Sequence, residues 1–314
     1  MIPGEPDHRL PPPNNVAHPL FSVAIGGVPG ELLPVDIPVI AGPSTEELLP
    51  GVVRIGNRGR LAIGQCDDWI VGGAVLPAES HLDALAMGLY EEIFRAAEGH
   101  HIARFWNYVP DINADSPEGL ENYRLFCRGR AAAFARRFGE NFTTALPAAT
   151  GIGGPAGRLS VFFAACRTPP AYVENPLQTP AYKYPAAYGK AAPSFSRATV
   201  TQCAAGRIAF ISGTAAIRGH DTIAPGDTLA QVDCMLENLA EIAKASGIGP
   251  RLGEGLARWR HFKVYVRDAA DGPSVALRIE RDLLKPGDTV SYLHANICRA
   301  SLTVEIEAGV CIPG

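Results

Sequence analysis

The sequence predicts an α+β protein built by internal duplication, with two related units of mixed sheet and helices packed on one face of each. Three observations predict this. Gly59-Arg60-Leu61-Ala62-Ile63 is echoed by Gly206-Arg207-Ile208-Ala209-Phe210. Trp106-Asn107-Tyr108-Val109-Pro110-Asp111 is echoed by Phe262-Lys263-Val264-Tyr265-Val266-Arg267-Asp268. Each half then closes on a pair of apolar runs, so both read β-β-α-β-α-β-β.

Residues 1–54 are read as an N-terminal arm and edge elements, Pro-rich over the first 18 residues. The first unit spans 55–167. Its strands are expected at Gly59–Gly64 and Trp69–Leu76, and Ser80 is read as an N-cap. The helix that follows carries Leu82, Leu85, Ala86, Leu89 and Ile93 at helical spacing. A strand over Ile102–Pro110, a helix over Gly119–Phe138 and strands at Thr143–Ala149 and Leu159–Ala165 complete it. Residues 168–195 form a connector with six prolines and four tyrosines, long for a structureless link and so a candidate functional loop.

The second unit spans 196–314. Thr228 to Gln231 reads as a capping box, opening a helix with Val232, Met235, Leu236, Leu239 and Ile242 on one face and a stop at Gly247. A strand over Phe262–Asp268 and a helix near Ser274–Leu284 follow. The last strand alternates, with Leu302, Val304 and Ile306 on one face and Thr303, Glu305 and Glu307 on the other. If Leu293–Ile297 pairs with it, Cys298 comes near the carboxylate face.

The 314 residues carry a net charge of −4 and are 47% hydrophobic. This favours a soluble globular chain and disfavours nucleic-acid or membrane partners. The seven cysteines show no CxxC pair and no disulfide framework, and the N-terminus does not read as a secretory signal. A cytoplasmic location is the expectation. No metal or cofactor motif is found: the Gly151–Gly157 run lacks the Lys-Ser/Thr of a phosphate loop, and His100-His101 lacks partner ligands.

Glu305 on a terminal strand is ordinarily a solvated residue. The duplication argues otherwise, because Val304-Glu305-Ile306 falls against Val161-Phe162-Phe163. A face that takes Phe in one copy is enclosed, and an enclosed carboxyl has the raised pKa that a general acid needs. Tyr123, Cys127 and Arg130 share one helical face, either as an amphipathic surface or to meet a carboxylate ligand. Arg197 offers the same alternatives. Gly213, between Ser212 and Thr214, marks either a turn or a close approach to a ligand.

The run from Gly206 to Ala215, the Lys263–Asp268 strand and the Val304–Ala308 ending resemble the RidA (YjgF-like) domain. The arginine with which many RidA proteins hold an imine carboxylate falls near Ser291, and no arginine stands there. From about residue 55 onward, the whole chain resembles the chorismatases more closely. The carrying segments are Phe105–Asn113, Asn122–Arg130, Tyr182–Gly189, Pro193–Ala198 and Asn296–Glu307.

The resemblance implies two RidA/YjgF-like units and Glu305 as the acid. Seven residues earlier the family divides: members with Ala make a dihydroxy-cyclohexadiene carboxylate plus pyruvate, and members with Cys make hydroxybenzoate plus pyruvate. This chain has Cys298, and Gly213 matches the small residue of the hydroxybenzoate makers. The implied reaction converts chorismate to 3-hydroxybenzoate and pyruvate, leaving open whether the 4-isomer accompanies it. Glu305 protonates the enolpyruvyl methylene, and Cys298 assists aromatisation as thiolate nucleophile or base. Arg130, Arg197, Tyr123 and Gly213 bind substrate, with Tyr265 and Arg267 as weaker candidates, and no cofactor is needed. The alternatives are a RidA-like imine hydrolase and a non-catalytic small-molecule-binding protein. Monomer and trimer both remain open.

Overall fold

The structure is a computed structural model that describes residues 22–24, 35–47, 53–66, 68–78, 81–203 and 206–313. Ahead of the first unit lie β1 (Ser22–Ala24), β2 (Val39–Ala41) and β3 (Thr45–Glu47). The first unit comprises β4 (Val53–Arg58), β5 (Leu61–Cys66), β6 (Trp69–Pro77), α1 (Leu82–Ala96), β7 (His101–Pro110), α2 (Asn122–Phe138), β8 (Ala148–Gly154) and β9 (Arg158–Cys166). The connector carries β10 (Ala171–Val173). The second unit comprises β11 (Ala198–Cys203), β12 (Gly206–Ala215), the short β13 (Ile217–Arg218) and β14 (Asp221–Thr222), α3 (Thr228–Ala245), β15 (Trp259–Val266), α4 (Gly272–Asp282), β16 (Thr289–His294) and β17 (Val304–Ile312).

The duplication is visible in the strand order. The first sheet runs β4-β5-β6-β9-β7-β8 and the second β10-β11-β12-β17-β15-β16-β2. In both, the last strand of the unit inserts into the middle of the sheet, β9 between β6 and β7 and β17 between β12 and β15. In both, the pair on its far side (β7 with β8, β15 with β16) is parallel. Each parallel crossover passes through a helix, which puts α1 and α2 on one sheet and α3 and α4 on the other.

Three apolar layers result. One lies between the first sheet and its helices (Leu89, Tyr90, Phe105, Phe126, Phe163) and one between the second sheet and its helices (Val232, Met235, Ile242, Val264, Ile306). The third, with Trp106, Tyr108, Phe162, Phe210 and Tyr265, joins the two sheets face to face. The period-two alternation of β17 sends Val304, Ile306 and Ala308 to the helices, and Glu305 and Glu307 into the layer between the sheets.

Several expectations change. Leu293–Ile297 does not pair with the last strand, because β15 lies between β16 and β17. The strand expected at 143–149 begins at Ala148 and runs through the glycines to Gly154, after a 3-10 turn at Phe142–Ala145. Those glycines allow close approach: a Cβ at Gly153 would lie 2.9 Å from Asn296, and one at Gly151 3.3 Å from the Tyr123 ring. The cap of α3 is Asp227, which accepts from the Ala230 N–H at 3.0 Å, so Thr228 is not the capping residue. Ser80 lies outside the described residues. Phe162 is not the counterpart of Glu305. Tyr265 opposes Glu305 and Tyr108 opposes Ser160, while Lys263 opposes Glu307 and Trp106 opposes Phe162. The comparison is offset by two residues. The inference of enclosure survives, because Ser160 and Phe162 are both buried.

Candidate active site

The two units meet along β8. Ile152 bridges Ile297, Ala148 bridges Ser196, and the Gly153 N–H donates to the Asn296 carbonyl at 2.7 Å. Beside this seam lies a cavity of about 220 Å³. Its walls come from α2 (Tyr123, Arg130), β8 (Thr150, Gly151), the connector (Tyr184, Tyr188), the start of the second unit (Arg197, Gly213) and the chain's end (Cys298, Glu305). Six of the eight residues singled out from the sequence line it: Glu305, Cys298, Tyr123, Arg130, Arg197 and Gly213, but not Tyr265 or Arg267.

Glu305 is 4% exposed, and no hydrogen bond reaches its carboxyl from the described residues. Burial, then the neighbouring Glu307 carboxylate, push its pKa up to about 8 against the pull of Arg104 and Arg197. The group therefore holds a proton at neutral pH. Gly213 makes room for it, since a Cβ there would lie 1.9 Å from Oε1 of Glu305. A register slip between Ile211 and Thr214 sets this glycine out of the ladder with β17. Its N–H turns instead to the Thr150 hydroxyl, at 3.1 Å.

Arg130 and Arg197 are 4% and 3% exposed, and neither pairs with a carboxylate among the described residues. The Arg130 guanidinium lies over Tyr90, Phe105 and Phe134 at 5.3–5.5 Å, and its Nε and Nη2 lack partners. Arg197 donates to the Tyr184 hydroxyl at 2.8 Å and the Thr179 carbonyl at 3.2 Å, leaving its Nε free. Two buried cations with spare donors in one cavity suit a dianion.

Tyr123 hydrogen-bonds Cys127, and burial raises its pKa well above the ordinary value. Cys298 is half-buried. Burial, then Glu305, push its thiol up to about 12, so the thiolate expected from the sequence gives way to a neutral thiol. The loop that carries it is fixed by Arg267, which donates to Asn113, Asn296 and the carbonyls of Ile297, Arg299 and Leu302 at 2.6–3.1 Å. Gln231 holds the same loop through Ser301 and Thr303. Arg267 is thus committed to the loop and not to a ligand. Tyr265 is fully buried, meets Tyr108 at 3.3 Å and does not line the cavity. Buried Ser291 donates to the Pro43 carbonyl at 2.9 Å and offers the cavity nothing in place of the missing arginine.

Sequence reasoning missed Thr150, Tyr184, Tyr188 and Arg299. Arg299 lies 4.2 Å over the Tyr188 ring and 5.1 Å over that of Tyr184, and the three line the cavity together. The proline-and-tyrosine richness of 168–195 was the available signal. It also missed the ions behind Glu305. Glu307 is held by Lys263 at 2.6 Å and Arg104 at 2.8 Å.

A family model described as Chorismatase FkbO/Hyg5-like, N-terminal, matches residues 48–165. A 3-hydroxybenzoate synthase of Streptomyces hygroscopicus is 42% identical over 67% of this chain, and the match spans 63% of that relative. A chorismatase of Streptomyces rapamycinicus is 39% identical over 83% of this chain and 80% of its own. A chorismatase crystal structure superposes with a TM-score of 0.74 at 33% identity, covering 82% of this chain and 80% of that one.

Proposed function

The chain belongs to the chorismatase family, and from that premise we propose that it converts chorismate to 3-hydroxybenzoate and pyruvate in the cavity around Glu305. One observation carries the reading: a protonated carboxyl without a hydrogen-bond partner shares a cavity with two buried guanidiniums that make no salt bridge among the described residues. Chorismate is a single-ring dianion, so its two carboxylates answer Arg130 and Arg197. The cavity is also smaller than the ~300–1,000 Å³ typical of drug-sized pockets, which suits one ring.

Glu305 gives its proton to the enolpyruvyl methylene. Positive charge develops on the ether carbon, where the new carboxylate stabilises it. The bond between the ether oxygen and the ring breaks, and that oxygen leaves as the keto oxygen of pyruvate. The neighbouring ring hydroxyl closes onto the vacated carbon as an arene oxide, and its proton returns to Glu305. Opening of the oxide with loss of a ring proton gives the hydroxybenzoate. The two products together hold the atoms of chorismate, so no water is consumed. Cys298, a neutral thiol beside Glu305, assists by filling the place a water would take, which leaves the ring hydroxyl as the only nucleophile. The free thiols among the described residues accord with a cytoplasmic setting.

Incubation with chorismate, with chromatography of the products, tests the reading. Wild-type protein is expected to release pyruvate and 3-hydroxybenzoate in equal amounts. Glu305→Gln, which keeps the shape but has no proton to give, is expected to lose at least about a hundredfold in rate, the lower end of what a general acid contributes. Substantial turnover by that variant would remove Glu305 from the acid's role.

A further inference from the structure

Glu305 is followed two residues later by a second buried carboxylate on the same strand face, Glu307, which touches none of the cavity. Its oxygens are divided between two elements. Oε1 takes the Lys263 ammonium of β15 at 2.6 Å, and Oε2 takes the Arg104 guanidinium of β7 at 2.8 Å. Arg104 is 1% exposed and comes from the other unit. It also donates to the Thr150 hydroxyl, which accepts from the Gly213 N–H at 3.1 Å and donates to Glu307. The backbone and side chain that wall in Glu305 are therefore tied to the Glu307 ions.

We propose that Glu307, clamped by Lys263 and Arg104, is a positioning residue that sets the charge state of Glu305. This rests on the reading of Glu305 as the acid and adds what keeps it one. Burial is the first cause that keeps Glu305 protonated and the Glu307 charge the second; without Glu307, only burial would oppose the pull of Arg104 and Arg197 toward the ionised form. Lys263 and Arg104 in turn keep Glu307 ionised: although burial alone would raise its pKa, the two cations hold it below the ordinary value. The other groups facing Glu305 are Arg197 ahead of β11, Cys298 on the last loop and Tyr123 on α2. Tyr265, across the ladder on β15, turns its hydroxyl to Tyr108. Cys298 and Tyr123 stay neutral through the pH range of interest. The arrangement is asymmetric between the units, since Trp106 and Phe162 occupy the places of Lys263 and Glu307.

The test is the alkaline limb of kcat/KM for chorismate, where activity falls as Glu305 loses its proton. Residues two apart on a strand lie about 6.6 Å from each other. One charge at that distance is worth roughly one to two pH units at an effective dielectric of about 20. Glu307→Gln is expected to move the limb to lower pH by that amount, Lys263→Met to higher pH, and the double variant to fall between them. A merely structural role would slow all three without moving their limbs in opposite directions. Limbs that stay at the wild-type position, or move the same way in the single variants, would overturn the proposal. Should Glu307→Gln fail to fold, Lys263→Met and the double variant decide alone. Carboxyl carbon NMR of labelled protein, with the Glu305 resonance identified by its loss in Glu305→Gln, follows the same titration without substrate. That arm tests the inference even if chorismate proves not to be the substrate.

Discussion

A carboxyl group taken out of water keeps its proton when its anion has lost hydration and found no hydrogen-bond donor to replace it. Glu305 is in that position, and so is the thiol beside it. With its pKa pushed up to about 12, Cys298 is a poor base and a poor nucleophile at neutral pH. On the proposed mechanism, what it supplies is a sulfur-sized, weakly polar wall next to the reacting ring. Alanine is smaller and leaves room for a water. We therefore expect Cys298→Ala to retain pyruvate release while its product moves from hydroxybenzoate toward the non-aromatic diol, as water competes with the ring hydroxyl. Chromatography of the ring products after complete turnover reads this directly, and an unchanged hydroxybenzoate yield would show that the sulfur does not steer the outcome.

The element that presents the sulfur is the loop between β16 and β17. Four hydrogen bonds from the Arg267 side chain hold it, three of them to its carbonyls. Arg267 sits just past the end of β15 and its guanidinium is half-buried, so alanine removes the clamp without opening the core. Because a misplacement of about 1 Å can cost around a hundredfold in rate, Arg267→Ala is expected to lower kcat ten- to a hundredfold with a smaller change in KM. Its product mixture is expected to resemble that of Cys298→Ala, and steady-state kinetics with product analysis would check both. A variant with unchanged kcat and product ratio would show that the loop holds its place without the clamp. Such a role was not legible in the sequence, where Arg267 looks like any arginine near a carboxylate-binding site. Helices α1, α3 and α4 were legible because their apolar periodicity follows burial, and β7, β9, β12 and β15 because each is a run rich in apolar and aromatic residues, buried on both faces. The boundaries of β8 were not. Its glycines have no side chains to show a period, and what makes them a strand is the parallel ladder with β7, more than 40 residues away in sequence. The ions behind Glu305 were hidden for a related reason. Arg104 and Lys263 look like outward strand residues until a second sheet is known to cover them.

At the scale of the molecule, the site exists because two copies of one unit pack sheet to sheet and then differ. One copy gives α2 and β8, the other gives β17 and its loop, and neither encloses a cavity alone. The carboxylates appear in one copy only. The cost of holding Glu305 in that layer should be measurable as stability. Its folded pKa, about 8, lies above the ordinary value of about 4.3 for an unfolded chain. Below the lower of these both states hold the proton and Glu305 contributes no penalty. Between them only the folded state holds it, so folding becomes less favourable as pH rises, and above the higher value the loss is complete. The full difference is on the order of a few kcal/mol. Glutamine cannot ionise and escapes the penalty. The Tm of Glu305→Gln minus that of the wild type is therefore expected to grow between pH 5 and pH 9, by about 5 °C for a chain of this size. Glu307 stays ionised across that range in both proteins, so the difference isolates Glu305. Thermal melts of the two proteins at several pH values would show it. A flat difference would mean that Glu305 titrates as it does in water, and that the cavity does not keep it protonated.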